Sequence, residues 1–232
     1  MTPDYRYEIK FVVKEVKLSE FRQWLWQFTT FTEMYPARVV NSMYFDDTGY
    51  QAVMENLTGI PDRSKYRLRW YSDIDNKSAV QGLRLEKKVK EGRLGYKREV
   101  ILPELESAFS QMTYSDLVKI LADPFAELGL YNSSGSVDML PTLQVNYLRE
   151  YWQDPNGVRV TIDNNLEFHR IVLTECISAR PSTTSAEKII EFKFPPEQKD
   201  LVADLLRTIH LVPKRNSKYL QGMAMNGNAV YL

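Results

Sequence analysis

Cysteine occurs once in this 232-residue chain, at Cys176, so no intrachain disulfide can form. Histidine occurs twice, at His169 and His210, which together with one cysteine excludes the usual zinc arrangements. No apolar run approaches membrane-spanning length. The opening Met-Thr-Pro-Asp-Tyr-Arg lacks the basic and apolar parts of a signal peptide. There is no Gly-rich phosphate loop, no dinucleotide fingerprint and no Ser-His-Asp constellation. Net charge is also missing, with 30 Lys and Arg against 30 Asp and Glu. That balance speaks against a protein that coats nucleic acid, but it leaves room for a local basic site, since placement sets the local field. These absences lead to the expectation of a cytoplasmic protein with no transmembrane segment and no nucleic-acid partner.

What the chain has instead is alternation. Arg6-x-Glu8-x-Lys10, Arg67-x-Arg69, Arg84-x-Glu86-x-Lys88, Lys97-x-Glu99, Tyr147-x-Arg149, Arg159-x-Thr161-x-Asp163 and Glu191-x-Lys193 each place charge or hydroxyls two residues apart. That spacing puts each set on one side of a β-strand. The residues between them are apolar or aromatic, such as Tyr7, Ile9, Leu68, Trp70, Leu85, Val160 and Phe192. One such strand alone merely shows a wet face to solvent. Repeated along the chain, the pattern predicts a sheet with one greasy face and one basic face.

Strands are predicted at about 4–13, 37–46, 63–72, 80–90, 93–102, 141–152, 157–168, 171–176 and 187–194. Helices are predicted at 18–28, on the spacing of Leu18, Phe21, Leu25 and Phe28, at 47–57, across 104–130 with a break near Pro124, and from Pro195-Pro196 to about 209, with a short one closing the tail. Residues 132–136 and 179–186 read as loops. Nothing divides the chain, so residues 1–232 are expected to form a single domain. The fold class is α+β: an antiparallel tunnel or barrel of about eight strands with helices packed outside. A lumen lined with Arg and Lys is unfavourable when dry, so it should be wet and ready for an anion.

Arg67 and Arg69 on one strand would grip neighbouring phosphoryl groups, with Arg149 and Arg159 on the opposite wall. Lys10, Lys88, Lys97 and Lys218 would complete the ring. Strand parity selects Lys88 rather than Lys87, because Lys88 shares a face with Glu86. Glu191 is the candidate for holding Mg²⁺ or Mn²⁺ against nucleotide phosphates. Glu8, Glu86 and Glu99 would pair with lysines or assist the metal. His169, His210, Trp24, Trp26 and Trp152 read as structural, and Cys176 as a buried small residue.

Taken in order, Arg6-Tyr7-Glu8-Ile9-Lys10, Ser42-Met43-Tyr44-Phe45-Asp46, Lys65-Tyr66-Arg67-Leu68-Arg69-Trp70-Tyr71, Leu85-Glu86-Lys87-Lys88, Tyr147-Leu148-Arg149, Val158-Arg159-Val160-Thr161-Ile162-Asp163, Glu191-Phe192-Lys193 and Ser217-Lys218-Tyr219 resemble the VTC (vacuolar transporter chaperone) domain of the triphosphate tunnel metalloenzymes. The series spans almost the whole chain. The resemblance implies a tunnel that builds polyphosphate from the terminal phosphate of ATP, and phosphate-binding roles for Lys10, Arg67, Arg69, Lys88, Lys97, Tyr147, Arg149, Arg159, Ser217 and Lys218. Those of Tyr147 and Ser217 rest on the resemblance alone. It also implies a metal role for Glu191. The sequence leaves room for a membrane partner on another chain.

One departure bears on the chemistry. Hydrolytic and cyclase members of the wider superfamily carry two glutamates and a lysine, each two apart, on the first strand. Here Arg6 stands where the first glutamate would be, which disfavours a simple triphosphatase. A metal-dependent hydrolase of triphosphate or nucleoside triphosphates, and a non-catalytic polyphosphate-binding module, remain the alternatives.

Overall fold

The computed structural model describes residues 4–130, 138–177 and 182–227. The loop expected at 132–136 lies outside the described residues, as does the Phe28 side chain.

The predicted alternation is realised as nine antiparallel strands: β1 (Tyr7–Val13), β2 (Thr32–Asp46), β3 (Arg63–Ser72), β4 (Gln81–Glu91), β5 (Leu94–Ile101), β6 (Leu140–Gln153), β7 (Arg159–Arg170), β8 (Ser182–Ser185) and β9 (Lys188–Phe194). Their spatial order is β1-β9-β7-β6-β2-β3-β4-β5. β8 pairs the later half of β7, residues 166–169, while β9 pairs the earlier half, residues 159–163. Between the two halves Asn165 adopts φ +52°, the left-handed conformation that Asn tolerates better than most residues. At the ends of the path Arg6 and Gly95 exchange both backbone hydrogen bonds, at 3.1 Å each. The ladder goes no further, so the sheet curls into a tunnel without closing as a continuous barrel.

Helices cover the greasy outer face on two sides. On one side α1 (Glu15–Phe28) and α5 (Lys199–Arg207) set Leu18, Phe21, Leu25 and Val202 against Phe11, Val160, Ile162, Ile190 and Phe192. On the other, α3 (Tyr114–Ile120) and α4 (Ala122–Glu127) bring Tyr114, Leu117 and Phe125 onto Met43, Phe45, Leu68, Trp70 and Leu85. Pro124 falls in the first turn of α4, where its missing N–H costs nothing.

The two remaining helices, α2 (Gln51–Thr58) and α6 (Lys218–Met225), lie against the inner face at one end of the tunnel. There Ala52, Val53, Tyr219 and Met223 pack on Tyr44, Leu143, Val145, Leu166 and Phe168. The Asp46 carboxylate ties the pair together. It accepts from the backbone N–H groups of Ala52 and Val53, at 3.0 and 3.2 Å, and from the Tyr219 hydroxyl at 2.8 Å. The backbone donors are among those a helix start leaves without an intrahelical partner.

Three local expectations fail. Residues 171–176 do not form a strand. They turn instead and dock on the start of α3, where the Glu175 and Leu173 carbonyls accept from Tyr114 N and Ser115 N at 3.3 Å, two donors that a helix start leaves free. Residues 182–185, expected as loop, form β8, because the outward edge of β7 offers unpaired backbone groups there. Cys176 is exposed, not buried. Among the described residues, no helix is long and apolar enough to cross a membrane.

Candidate functional site

The inner face encloses a cavity of about 700 Å³. Among the described residues, fifteen of the chain's 30 Lys and Arg residues line it, but only three of its 30 Asp and Glu residues: Glu8, Glu86 and Glu191. A chain with no net charge thus carries a strongly cationic interior and an exterior that is acidic overall.

Strand parity builds the walls. β3 contributes Lys65, Arg67, Arg69 and Tyr71, and β4 contributes Glu86, Lys88 and Lys90. β5 adds Lys97, β6 adds Tyr147 and Arg149, β9 adds Glu191 and Lys193, and β1 adds Glu8 and Lys10, with Arg6 just before it. α6 adds Lys218 from its first turn, with the capping residue Ser217 just before it; the Ser217 hydroxyl accepts from Leu220 N. The preceding segment brings Lys214, Arg215 and Asn216 to the rim.

The deep cations are held on carboxylates. Glu86, almost fully buried, accepts from Arg67 Nε at 2.6 Å and Lys97 Nζ at 3.0 Å, with Arg69 at 3.9 Å. Burial pushes its carboxyl up, but those three cations win and hold it well below the usual carboxylate range. Arg69 also donates to the Tyr147 hydroxyl at 3.0 Å and the Ser42 hydroxyl at 3.2 Å. Lys88 meets both Glu8 oxygens, at 2.6 and 2.8 Å. Arg149 forms a two-point pair with Asp163, at 2.5 and 2.7 Å, and Lys218 reaches the same carboxylate at 2.5 Å. Glu191 faces Lys193 at 3.0 Å, Lys10 at 3.4 Å and Arg149 at 3.9 Å.

For two lining lysines burial outweighs any carboxylate partner. Burial, aided by the charges of Lys10, Arg63 and Lys88, holds the Lys65 ammonium well below the ordinary lysine range; it donates to the Ser217 hydroxyl at 3.0 Å. Burial likewise brings Lys193 down to about 7, against the pull of Glu191. An incoming polyanion would relieve both.

Of the residues predicted from the sequence, Lys10, Arg67, Arg69, Lys88, Lys97, Tyr147, Arg149, Glu191, Ser217 and Lys218 line this one cavity. Arg159 does not. It is exposed at the start of β7, beyond the ring of cations, although it shares strand parity with Thr161 and Asp163. Parity gives the face but not the depth along a tilted strand. Lys87 points outward, its ammonium 5.3 Å from the Tyr66 ring centre and donating to the Leu128 carbonyl. Sequence reasoning gave no role to Asp163, which is completely buried and joins Arg149 to Lys218. It also missed Lys65, Lys193 and the rim residues Lys214 and Arg215. The two-residue spacing in Arg159-x-Thr161-x-Asp163 marks the face that Asp163 shares, and Glu191-x-Lys193 the face of Lys193, but neither gives the depth.

The described residues contain no cluster of three or more side chains able to cage a metal. The donor set fits a hard divalent ion that takes most of its ligands from phosphate oxygens and one or two from carboxylates. Glu191 and Glu8, near enough for their charges to oppose each other, are the lining carboxylates that would share such an ion.

Comparison with known proteins agrees with this geometry. The family model of the VTC domain matches residues 5–226. The chain belongs to the VTC domain family. No curated protein sequence matches this VTC domain. Among solved structures it is similar to a putative adenylyl cyclase from Hippeastrum, HpAC1, described as having a dominant triphosphatase activity, with TM-score 0.57, 13% identity and 95% of each chain covered. It is also similar to the PH1819 protein of Pyrococcus horikoshii, with TM-score 0.54, 14% identity, and coverage of 95% of this chain and 99% of that one. A putative adenylate cyclase from Vibrio parahaemolyticus gives TM-score 0.52, 11% identity, and 96% and 99% coverage. At these identities the structural neighbours establish that the VTC domain shares their fold.

Proposed function

We propose that this VTC domain is a metal-dependent phosphotransferase that lengthens polyphosphate at the expense of ATP. The observation that carries the reading is the concentration of half the chain's cations in one cavity. Phosphoryl transfer asks little covalent chemistry of the protein; alignment and charge stabilisation do most of the work.

In the reaction, a terminal oxygen of the polyphosphate chain attacks the γ-phosphorus of ATP. The bond from that phosphorus to the β–γ bridging oxygen breaks, ADP leaves, and the chain is one phosphate longer. No side-chain nucleophile is needed. Arg67, Arg69 and Arg149 neutralise the transferring group, and their planar forks orient it. Lys218 and Ser217, at the start of α6, clamp nucleotide phosphates, where the helix dipole also favours an anion. Lys10, Lys88 and Lys97 hold neighbouring phosphates, and the Tyr147 hydroxyl keeps Arg69 in place. Glu191, with Glu8 beside it, would hold Mn²⁺ or Mg²⁺, which would supply charge neutralisation to the phosphates. A cytoplasmic setting supplies the ATP.

A hydrolase using the same residues, with water as acceptor, is the second reading, and the fold shared with a protein described as a triphosphatase favours it. Against it, Arg6 puts a cation 3.7 Å from Glu8. The deciding experiment is incubation with ATP and Mn²⁺ followed by separation of products by length. Long polymer supports the transferase. Free phosphate or pyrophosphate alone replaces it with the hydrolase, and tight polyphosphate binding without turnover replaces it with a binding module.

A further inference from the structure

At the end of the tunnel opposite α6, the last lining side chain is Tyr71. Two guanidinium groups rest against its ring, Arg38 at 3.9 Å and Arg84 at 5.4 Å from the ring centre. Neither arginine lines the cavity. Arg38 lies two residues before Val40, the β2 partner of Tyr71, and Arg84, opposite Arg69 in the β3–β4 register, turns its guanidinium toward the Tyr71 ring. Arg38 is opposite Arg149 in the β2–β6 register, beside it on the neighbouring strand. Its Nε donates to the Tyr151 hydroxyl at 3.2 Å, and its guanidinium also sits 5.0 Å from the Tyr151 ring and 5.8 Å from that of Tyr35. Among the described residues Arg38 forms no ion pair. Arg84 has only a 3.7 Å contact to Glu99, whose carboxylate Lys97 already holds at 2.6 Å. Arg84 folds back to donate to the Gly82 carbonyl at 2.9 Å, over a glycine at φ +61° where a Cβ would lie 2.8 Å from the guanidinium.

Resting an arginine on tyrosines is a weak arrangement compared with gripping a phosphate. A cation–π contact at a partly exposed site contributes less than a charge-assisted bond to an anion, which is also directional. An anion arriving from inside the tunnel would therefore draw both groups off the ring. We propose that Arg38, Tyr71 and Arg84 form a second polyphosphate-binding station at this mouth, shut here by the stacking of the guanidiniums on the ring and opened by a chain long enough to pass Tyr71. The station rests on the reading that the cavity takes polyphosphate, and it makes the far mouth selective for chain length: a short anion satisfied by the inner ring never reaches it.

The test is isothermal titration of the full chain and of an Arg38→Ala, Arg84→Ala double variant, each with tripolyphosphate and with long-chain polyphosphate. The double variant should bind tripolyphosphate within about twofold of the parent and long-chain polyphosphate about tenfold more weakly. Should the double variant fail to fold, the single variants carry the same test, each with about a threefold loss confined to the long chain. Equal losses for both probes, or no loss for either, overturn the station while leaving the tunnel reading intact. Failure of the parent to bind either probe overturns both.

Discussion

Asp163 holds Arg149 and Lys218 on a single buried carboxylate, so a β-strand cation and a helix-terminal cation share one counter-charge. Burial pushes this carboxyl up, but Arg149 and Lys218 more than offset it and keep it well below the usual range. Removing it leaves two confined cations facing each other. Asp163→Ala should cost about 3–5 kcal/mol of folding stability in urea unfolding. Saturating tripolyphosphate should restore part of that loss, since the ligand replaces the missing negative charge. A variant as stable as the parent would mean that Arg149 and Lys218 find other partners.

Lys65 gives the pH dependence a sign. Its pKa lies well below the ordinary lysine range because it is buried among other cations. A bound polyanion raises that pKa, so in the window between the depressed and ordinary values binding takes up a proton. Affinity for tripolyphosphate should fall as pH rises through this window, toward the ordinary lysine value of about 10. Calorimetry in buffers of different ionisation enthalpy should show net proton uptake at alkaline pH, smaller in Lys65→Met. Equal uptake in both proteins would place the titration elsewhere.

Two pairs of substitutions separate depth and face. Arg149→Ala should lower polymer formation by on the order of 100-fold, the scale seen when a preorganised donor to developing charge is lost. Arg159→Ala, outside the cavity, should stay within about threefold of the parent, as expected for an exposed charge that acts only through the long-range field. In the same assay Lys88→Ala should impair activity strongly while Lys87→Ala does not. Rates for the two members of either pair that cannot be told apart would contradict the placement.

Gly222 marks where α6 meets the inner wall. A Cβ there would lie 2.5 Å from both Leu143 Cδ2 and Phe168 Cδ1, in the fully packed end of the tunnel. Gly222→Ala should destabilise by about 1–3 kcal/mol despite alanine's better helix propensity. Because Lys218 lies one turn earlier on the same helix, ATP should also bind more weakly. Both are measurable in one set of thermal-shift titrations, and a stabilised variant would mean that α6 can shift without strain.

Much of the site is legible in the amino-acid sequence. The two-residue spacing in Arg67-x-Arg69 and Glu86-x-Lys88 fixes which side chains share a face, because strand geometry alternates them whatever the fold does next. The choice of Lys88 over Lys87 follows from that local rule. Arg159 obeys it too, and still stands outside the cavity. How far along a tunnel a strand position sits depends on register and tilt, and these are set by pairing with neighbours distant in sequence. The same limit hid the role of Asp163, whose partners are 14 and 55 residues away. It also hid the insertion of α2 and α6 into the tunnel, since an apolar helix face does not say which side of a sheet it will cover.

The sequence by itself determined most of the strands, their two faces and the cationic nature of one of them, through local periodicity and side-chain chemistry. Only the tertiary structure decided that fifteen cations meet around one cavity, that Asp163 and Glu86 hold the deepest of them, and that Arg38 rests against the Tyr71 ring. Electrostatic interaction depends on distance and burial, and both come from long-range pairing that no short stretch of chain encodes.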